Sequence, residues 1–406
     1  MPEPIAPADP APTTWPALGE EERAWESRID PGHLDVWQRH RIARPYRAAV
    51  VPRIADLSPR LAPETIAEQS EASAEIARFD ADMEVLPVPM PAILLRSESA
   101  SSSQIERLTA SSRNIALAAL DLGTKQNSEL IVANVRAMQR ALDVSGVLTG
   151  ETILAAHTAL LEHADPEIAG RWRTEQVWIG GTDISPHGAE FVPPHAEHVP
   201  ALIDDLVAFA ARDDLPALTQ ATLVHAQFET IHPFLDGNGR AGRAIMHTVM
   251  RSRGLTRRST VPVSSGLLRD TTRYFDALTA YRRGDPDAIV RQASRAALAA
   301  IDNGRILAME MTGIRETARA DLRARADSVA WPLLDLVMQQ PVVNASHVAR
   351  SLRVSTRSAR NGLDRLTENG VLTLVGGALR DRLWQAPAVL AAMDAFAAQS
   401  GRRVAG

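Results

Sequence analysis

Twelve consecutive residues, His232-Pro-Phe-Leu-Asp-Gly-Asn-Gly-Arg-Ala-Gly-Arg243, bring a titratable ring, a carboxylate, closely spaced glycines and two arginines into one short stretch. A glycine-rich loop that opens a helix is an anion site, because its free amides and the positive end of the helix dipole point the same way. Gly237 and Gly239 permit tight turning and close approach of a ligand. Arg240 and Arg243, three apart, project from one helical face to hold further phosphate oxygens. Asp236 is the hard oxygen ligand that magnesium on a polyphosphate takes, with phosphates and water completing the octahedron. Asn238 offers an amide to steady the phosphate or the loop. His232, neutral near pH 7, is placed to accept the proton of an incoming hydroxyl. Together these parts describe nucleotide-dependent transfer. No lysine followed by serine or threonine closes the glycines, so this is not a Walker loop, and the Rossmann glycine spacing is missing. Singly, a His-Pro is a common helix terminator and an Asp-Gly-Asn-Gly a common turn; the joint pattern carries the reading.

Those residues need a frame. Pro216 starts a helix on which Ala217, Ala221, Val224, Phe228 and Ile231 share one face, and Pro233 biases His232 out of the helical region, which ends that helix at the loop. Phe234 anchors the loop in the core, and a second helix marked by Ala241, Ile245 and Val249 follows. Upstream, two short apolar pieces, Gln176 to Asp183 and Ala189 to Pro194, flank a Gly, Asp, Ser and Pro turn and predict a β-hairpin. His195 and His198 lie beside it without carboxylates at ligand spacing and read as surface histidines, not a metal site. Tyr274 offers an aromatic face to an adenine, although one aromatic in a helical stretch is an ordinary core residue.

The chain as a whole narrows the chemistry further. With no cysteine in 406 residues there is no disulfide framework, thiolate metal site or cysteine nucleophile. The net charge of -5 is mild for a chain that is 45% hydrophobic and 23% charged. The proline-bearing start lacks the basic and apolar regions of a secretory signal. No run reaches the roughly 18 apolar residues of a membrane span, so a cytoplasmic protein is expected.

At this point the sequence resembles the Fic (filamentation induced by cyclic AMP) family, whose signature His-x-Phe-x-(Asp or Glu)-Gly-Asn-Gly-Arg-x-x-Arg is matched by His232 to Arg243 at every specified position. The resemblance implies an all-α, mainly helical core with a β-hairpin flap, moving AMP from ATP onto a Ser, Thr or Tyr hydroxyl of a target protein. His232 is then the general base and Asp236 the magnesium ligand. Phe234, Gly237, Asn238, Gly239 and Arg240 belong to the nucleotide and phosphate site, and Arg243 contacts the γ-phosphate. The hairpin at 176–194 matches the place of the family's flap, which registers the target by strand addition. Ser102 and Glu106 resemble the family's inhibitory helix motif over 102–110, with Arg107 where Gly or Asn is usual. Glu106 would then occupy Arg243 and hold the chain inactive. Ser103 and Glu106 also form the Ser-x-x-Glu pattern of a capping box, which places them at the start of a helix.

Residues 341–385 read as helix, turn, helix and hairpin, the pattern of a winged helix, with seven arginines against three acidic residues. Arg357, Arg360 and Arg365 lie on its second helix, and Arg380 and Arg382 on its wing. Asp364 and Glu368 on the same helix dilute the basic stripe that DNA binding needs, and docking or dimerisation is the other use of such a unit. The expected organisation is a Pro-rich disordered tail (1–18), a helical cap (19–95), the catalytic core (96–300), a helical connector (301–327), a small winged-helix domain (328–395) and a second tail (396–406). ATP, magnesium and a target protein are the expected partners, with homodimerisation and DNA binding through the winged helix compatible and no membrane. Transfer of another phosphate-containing group, removal of AMP, and a DNA-binding regulator with a nucleotide-sensing domain are the alternatives.

Overall fold

The structure is a computed structural model that describes residues 15–27, 29–123, 125–143, 147–375 and 382–401. It opens with an antiparallel pair, β1 (Gly19–Arg23) and β2 (Tyr46–Val50), whose long connection carries helix α1 (Val36–Ile42). Seven helices lead to the loop: α2 (Pro63–Glu84), α3 (Met90–Ile105), α4 (Ser112–Ala118), α5 (Gln126–Asp143), α6 (Gly150–Leu161), α7 (Val199–Ala210) and α8 (Ala217–Ile231). Beyond it follow α9 (Asn238–Ser252), α10 (Val263–Leu267), α11 (Thr271–Arg282) and the long α12 (Pro286–Asp321). The fold is mainly helical, as expected.

Helix α8 is the axis of the core. From Leu218 to Ile231 every residue is buried, because α7, α9, α11 and α12 pack around it. A helix buried on all sides carries no amphipathic stripe. Two of its glutamines are paired internally: Gln220 donates to Phe209 O at 2.9 Å, and Gln227 donates to Pro52 O at 2.9 Å while accepting from the Tyr281 hydroxyl at 2.8 Å.

Several expected boundaries move. Trp15 to Leu18 are not tail: Trp15 is buried against Phe209 and Tyr281, and the Leu18 amide donates to Arg282 O at 2.9 Å. Residues 1–14 lie outside the described part. Residues 301–321 of the expected connector are instead the second half of α12, whose Ile301, Leu307, Ala308 and Met311 are core residues. Its charges lie on the outer face, where Arg305 meets Glu75 at 2.8 Å, and it is this exposed stripe that resembles a solvated linker. The cap and core are not separated at residue 95 either, since α3 runs through that position and α2 shares one core with α12.

The carboxy-terminal unit runs α13 (Ala330–Gln339), β3 (Val342–Asn344), α14 (Ala345–Leu352), α15 (Thr356–Glu368), β4 (Thr373–Val375), β5 (Leu383–Gln385) and α16 (Pro387–Ser400). Its sheet is antiparallel in the order β3-β5-β4. Asn344 and Ser355 cap the two helices through their side chains. The Gly376-Gly377 turn and Arg380 fall outside the described residues. Helix α16 extends to Ser400 with Phe396 buried, so 396–400 are not a tail. This unit is fastened to α3 and α4: Arg96 donates to Gln339 O and Gln340 Oε1, Gln340 to Ala116 O, and Asp394 accepts from the Ser112 amide at 2.9 Å. Ala116, Val342 and Leu390 close an apolar cluster beneath those bonds.

The tightest backbone contact is between α10 and α12, where a Cβ on Gly266 would lie 2.0 Å from Ala296 O. Gly266→Ala must push the two helices apart at a cost of about 1–3 kcal/mol, and thermal denaturation followed by circular dichroism should record a lower Tm. An unchanged Tm would mean that the helices are not held at this distance.

Candidate active site

The loop between α8 and α9 is built as the sequence dictates. Helix α8 ends at His232, whose φ of 51° and ψ of 61° place it in the left-handed region with its amide donating to Phe228 O. The carbonyls exposed at that end are gathered by Arg173, which donates to His232 O at 2.8 Å, Ile231 O and Pro194 O, while its own amide donates to Pro233 O. A cation at a helix carboxy terminus is stabilised by the dipole. Arg173 thus joins the end of the 176–194 segment to the loop.

Phe234 is fully buried, stacked on the His157 ring at 3.6 Å and on Trp172 at 5.0 Å. It anchors the loop and presents no surface to a nucleotide, which corrects its expected place among phosphate contacts. The Asn238 side chain accepts from Phe234 N and donates to Phe234 O, both at 2.9 Å, and is used up inside the loop, so only the main chain of Asn238, at the start of α9, is left for the cleft. His157 completes the frame: Nδ1 accepts from Gly170 N, so Nε2 carries the proton and donates to Asp236 O at 3.0 Å.

What faces outward is the chemistry. Asp236, Gly237, Gly239, Arg240 and His232 line a cleft of about 420 Å³ together with Glu106. Gly237 caps α9 with φ of 77°, and the first amides of that helix open toward the cleft. The Arg240 guanidinium is almost fully buried. It reaches Asp236 Oδ2 at 3.2 Å through one nitrogen, and Nε and Nη1 have no partner among the described residues. Burial, then the charges of Arg173 and Arg282, push the His232 imidazole down to about 3, so the ring is neutral at pH 7.

Arg243 is buried and charged. Nε donates to Ser102 Oγ at 2.8 Å, and Nη2 donates to Ser102 O at 2.8 Å and to Glu106 Oε1 at 2.9 Å. Burial alone disfavours its charge, but Glu106, Tyr274 and Glu229 together hold its pKa above the ordinary value. A Cβ on Gly239 would lie 2.0 Å from Glu106 Oε1, so this carboxylate sits directly over the glycine of the anion loop.

Ser102 and Glu106 stand at the end of a helix and not at its start. Ser103 Oγ donates back to Ser99 O at 2.9 Å, which rules out the capping box. The serine-rich run is helical because tertiary contacts outweigh its modest propensity: Asn134 donates to Ser99 O and Ser103 Oγ, and the buried Glu98 accepts from the Ser264 amide and meets His247 at 3.0 Å. Arg107 follows with φ of 62°, the conformation that favours Gly or Asn, so its departure from the motif adds strain without changing the helix end.

The segment 176–194 doubles back, but the expected hairpin has little pairing. Only Ile179 with Phe191 and Thr182 with Ser185 form bridges among the described residues, because Gly180, Gly181 and Gly188 take positive φ and Pro186 lies between. Tyr274 is a core residue, bonded to His225 Nε2 at 2.8 Å. His195 and His198 are partly exposed beside Glu197, and His198 also meets Glu21 at 3.3 Å. No group of three metal-ligating side chains occurs among the described residues. Sequence reasoning missed His157, Arg173, Glu98 and Glu229. The last is a buried carboxyl one turn before His232 that desolvation pushes up to about 7. For His157, Glu98 and Glu229 the signal is a lone polar residue on a helix, and Arg173 lies outside any helix.

The fold and site define a helical domain with a glycine-bearing loop at a helix start and a neutral imidazole at its mouth. Residues 147–250 match the model of the Fic/DOC family. It is 32% identical over 107 residues to protein adenylyltransferase fic-1 of Caenorhabditis elegans, covering 26% of this chain and 19% of that protein. Against protein adenylyltransferase Fic of Nematostella vectensis it is 28% identical over 158 residues, covering 38% and 34%. The matches to these curated relatives thus span between about a fifth and a third of their length. In fold the chain is similar to a Fic family protein from Desulfovibrio desulfuricans, with a TM-score of 0.51 at 19% identity over 80% of this chain and 97% of the other.

Relieving the left-handed strain at Arg107 is the direct test of the helix end. Arg107→Gly should raise stability by about 1 kcal/mol, measured as a higher Tm. A lower Tm would contradict the assigned conformation.

Proposed function

We propose that this chain transfers AMP from ATP to a Ser, Thr or Tyr hydroxyl of a target protein and that Glu106 holds it in check. The observation that carries the reading is the placement of Glu106, which sits over the anion loop and pairs with Arg243. That carboxylate occupies the region where a terminal phosphate would lie.

In the released state the α9 amides, Arg240 and Arg243 hold the phosphate chain. The target hydroxyl gives its proton to His232 as its oxygen bonds to the α-phosphorus. The bond from that phosphorus to the bridging oxygen breaks in line, and pyrophosphate leaves. Most of the rate comes from position and from fixed positive charge. Asp236 suits a magnesium ion that arrives with the nucleotide, because it is a single, 65% exposed carboxylate at the mouth of the cleft and no all-protein cage is present among the described residues. Such an ion would neutralise charge on the departing pyrophosphate. The reading gives Phe234 and Asn238 the task of fixing the loop.

With Arg243 held by Ser102 and Glu106, the arginine is withheld from the nucleotide, and the carboxylate repels its phosphates. The carboxy-terminal unit has the element order of a winged helix, and the exposed side of α15 carries Arg357, Arg360 and Arg365 with Asp364 and Glu368 among them. A mixed face of this kind suits docking to protein better than unselective binding to DNA. Among the described residues no helix is long and apolar enough to cross a membrane.

Glu106→Gly should raise incorporation of label from α-labelled ATP into protein by about tenfold or more, and adding His232→Ala should lower it again by about 100-fold to 10,000-fold with nucleotide binding retained. Label arriving only from the γ-position would replace AMP transfer with phosphorylation. Because the His232 pKa is depressed, protonation removes the base only as pH falls through that low value. In the Glu106→Gly variant, kcat/KM should show no acid limb between about pH 8 and pH 5. A limb centred near the ordinary histidine value would contradict the assignment.

A further inference from the structure

Helix α1 buries none of its residues, and Val36 and Trp37 stand 72% and 83% exposed. Its end is nevertheless tied to the 176–194 segment: Arg41 donates to His187 O at 2.6 Å and His187 Nε2 donates to Arg44 O at 2.8 Å. Between α1, β2 and residues 186–192 lies a groove of about 570 Å³.

One wall of the groove is an open strand edge. The Ala49 amide donates to Val192 O at 3.0 Å, so Ala49 turns its main chain away from β1, and by the alternation of an antiparallel ladder Arg47 does the same. The opposite wall does not meet it there, because the Glu190 and Phe191 amides have turned back to Ile179 O. The Arg47 amide and carbonyl therefore face the groove without a main-chain partner from that wall. The bond from Ala49 N to Val192 O is the one main-chain bond seen between these two walls among the described residues.

The charges around this edge are unbalanced. Arg47 is paired with Glu20 at 3.0 Å and lies 3.7 Å from Glu22, which consumes both carboxylates of β1 that reach it. Arg41 and Arg44 have no carboxylate partner among the described residues, and the far wall offers Glu190 alone. The groove also leads toward the base. The Phe191 ring on its wall lies 3.7 Å under the Arg282 guanidinium, and Arg173 joins Pro194 O to His232 O.

We propose that the groove seats an extended acidic segment of the modified protein, which adds as a strand beside Arg47 and sets its carboxylates against Arg41 and Arg44. Main-chain bonds would supply register and the arginines would supply selection. This rests on the reading of the chain as a protein-modifying enzyme and names the class of segment it accepts.

The test uses the full chain carrying Glu106→Gly, with and without Arg41→Glu plus Arg44→Glu, incubated with cell lysate and ATP, and maps the modified residues by mass spectrometry. The parent should modify hydroxyls whose flanking residues are enriched in Asp and Glu. The double reversal should reduce those sites about tenfold and gain sites flanked by Lys and Arg, a gain that misfolding does not produce. Modified sites without acidic enrichment, or flanks that the reversal leaves unchanged, would overturn the groove assignment while AMP transfer stands. AMP on no protein at all would overturn the parent reading, and this one with it.

Discussion

A guanidinium sealed inside a protein needs an anion or a set of carbonyls beside it, and the arrangement of this domain follows from how Arg243 meets that demand. Ser102 supplies a hydroxyl and a carbonyl, and Glu106 supplies the charge. The three atoms come from the last turn of α3, so α3 must end at this point and nowhere else. Its register is fixed by the buried Glu98 against His247 and Ser264, and by Asn134 against Ser99 and Ser103. On its outer side the carboxy-terminal unit grips α3 through Arg96 and α4 through Gln340 and Asp394. The helix that carries Glu106 is thus clamped between the loop and the far end of the chain.

The loop obeys a different constraint, namely that its own polar groups must be spent so that its amides stay free. His157 takes the Asp236 carbonyl, Asn238 closes on Phe234, and Arg173 collects the carbonyls at the end of α8. The donors left over are the first amides of α9 and two nitrogens of Arg240. An anion is what such leftovers fit, and in this state the carboxylate of Glu106 sits over Gly239.

Much of this was legible in the sequence where covalent geometry decides the outcome. Pro233 ends α8 at His232, and the glycines mark the turn into α9. Tertiary packing hid the rest. Trp15 reads as part of a proline-rich tail because only the fold brings Phe209 and Tyr281 to it. The polar outer stripe of α12 resembles a linker until its inner stripe is seen against α2 and α16. Ser103 mimics a cap because a capping pattern is local, whereas the contacts from Asn134 and Glu98 that make the serine run helical are not. His157, Arg173 and Glu229 act through carbonyls, ring faces and buried charge, which leave no spacing to read.

The central claim is that Glu106 and the terminal phosphate compete for one buried arginine. A crystal structure of the Glu106→Gly chain with ATP tests it most directly. The account predicts the Arg243 guanidinium in contact with the γ-phosphate, with the phosphates lying over Gly239. Arg243 still turned toward Ser102, with the phosphates bound elsewhere, would contradict it.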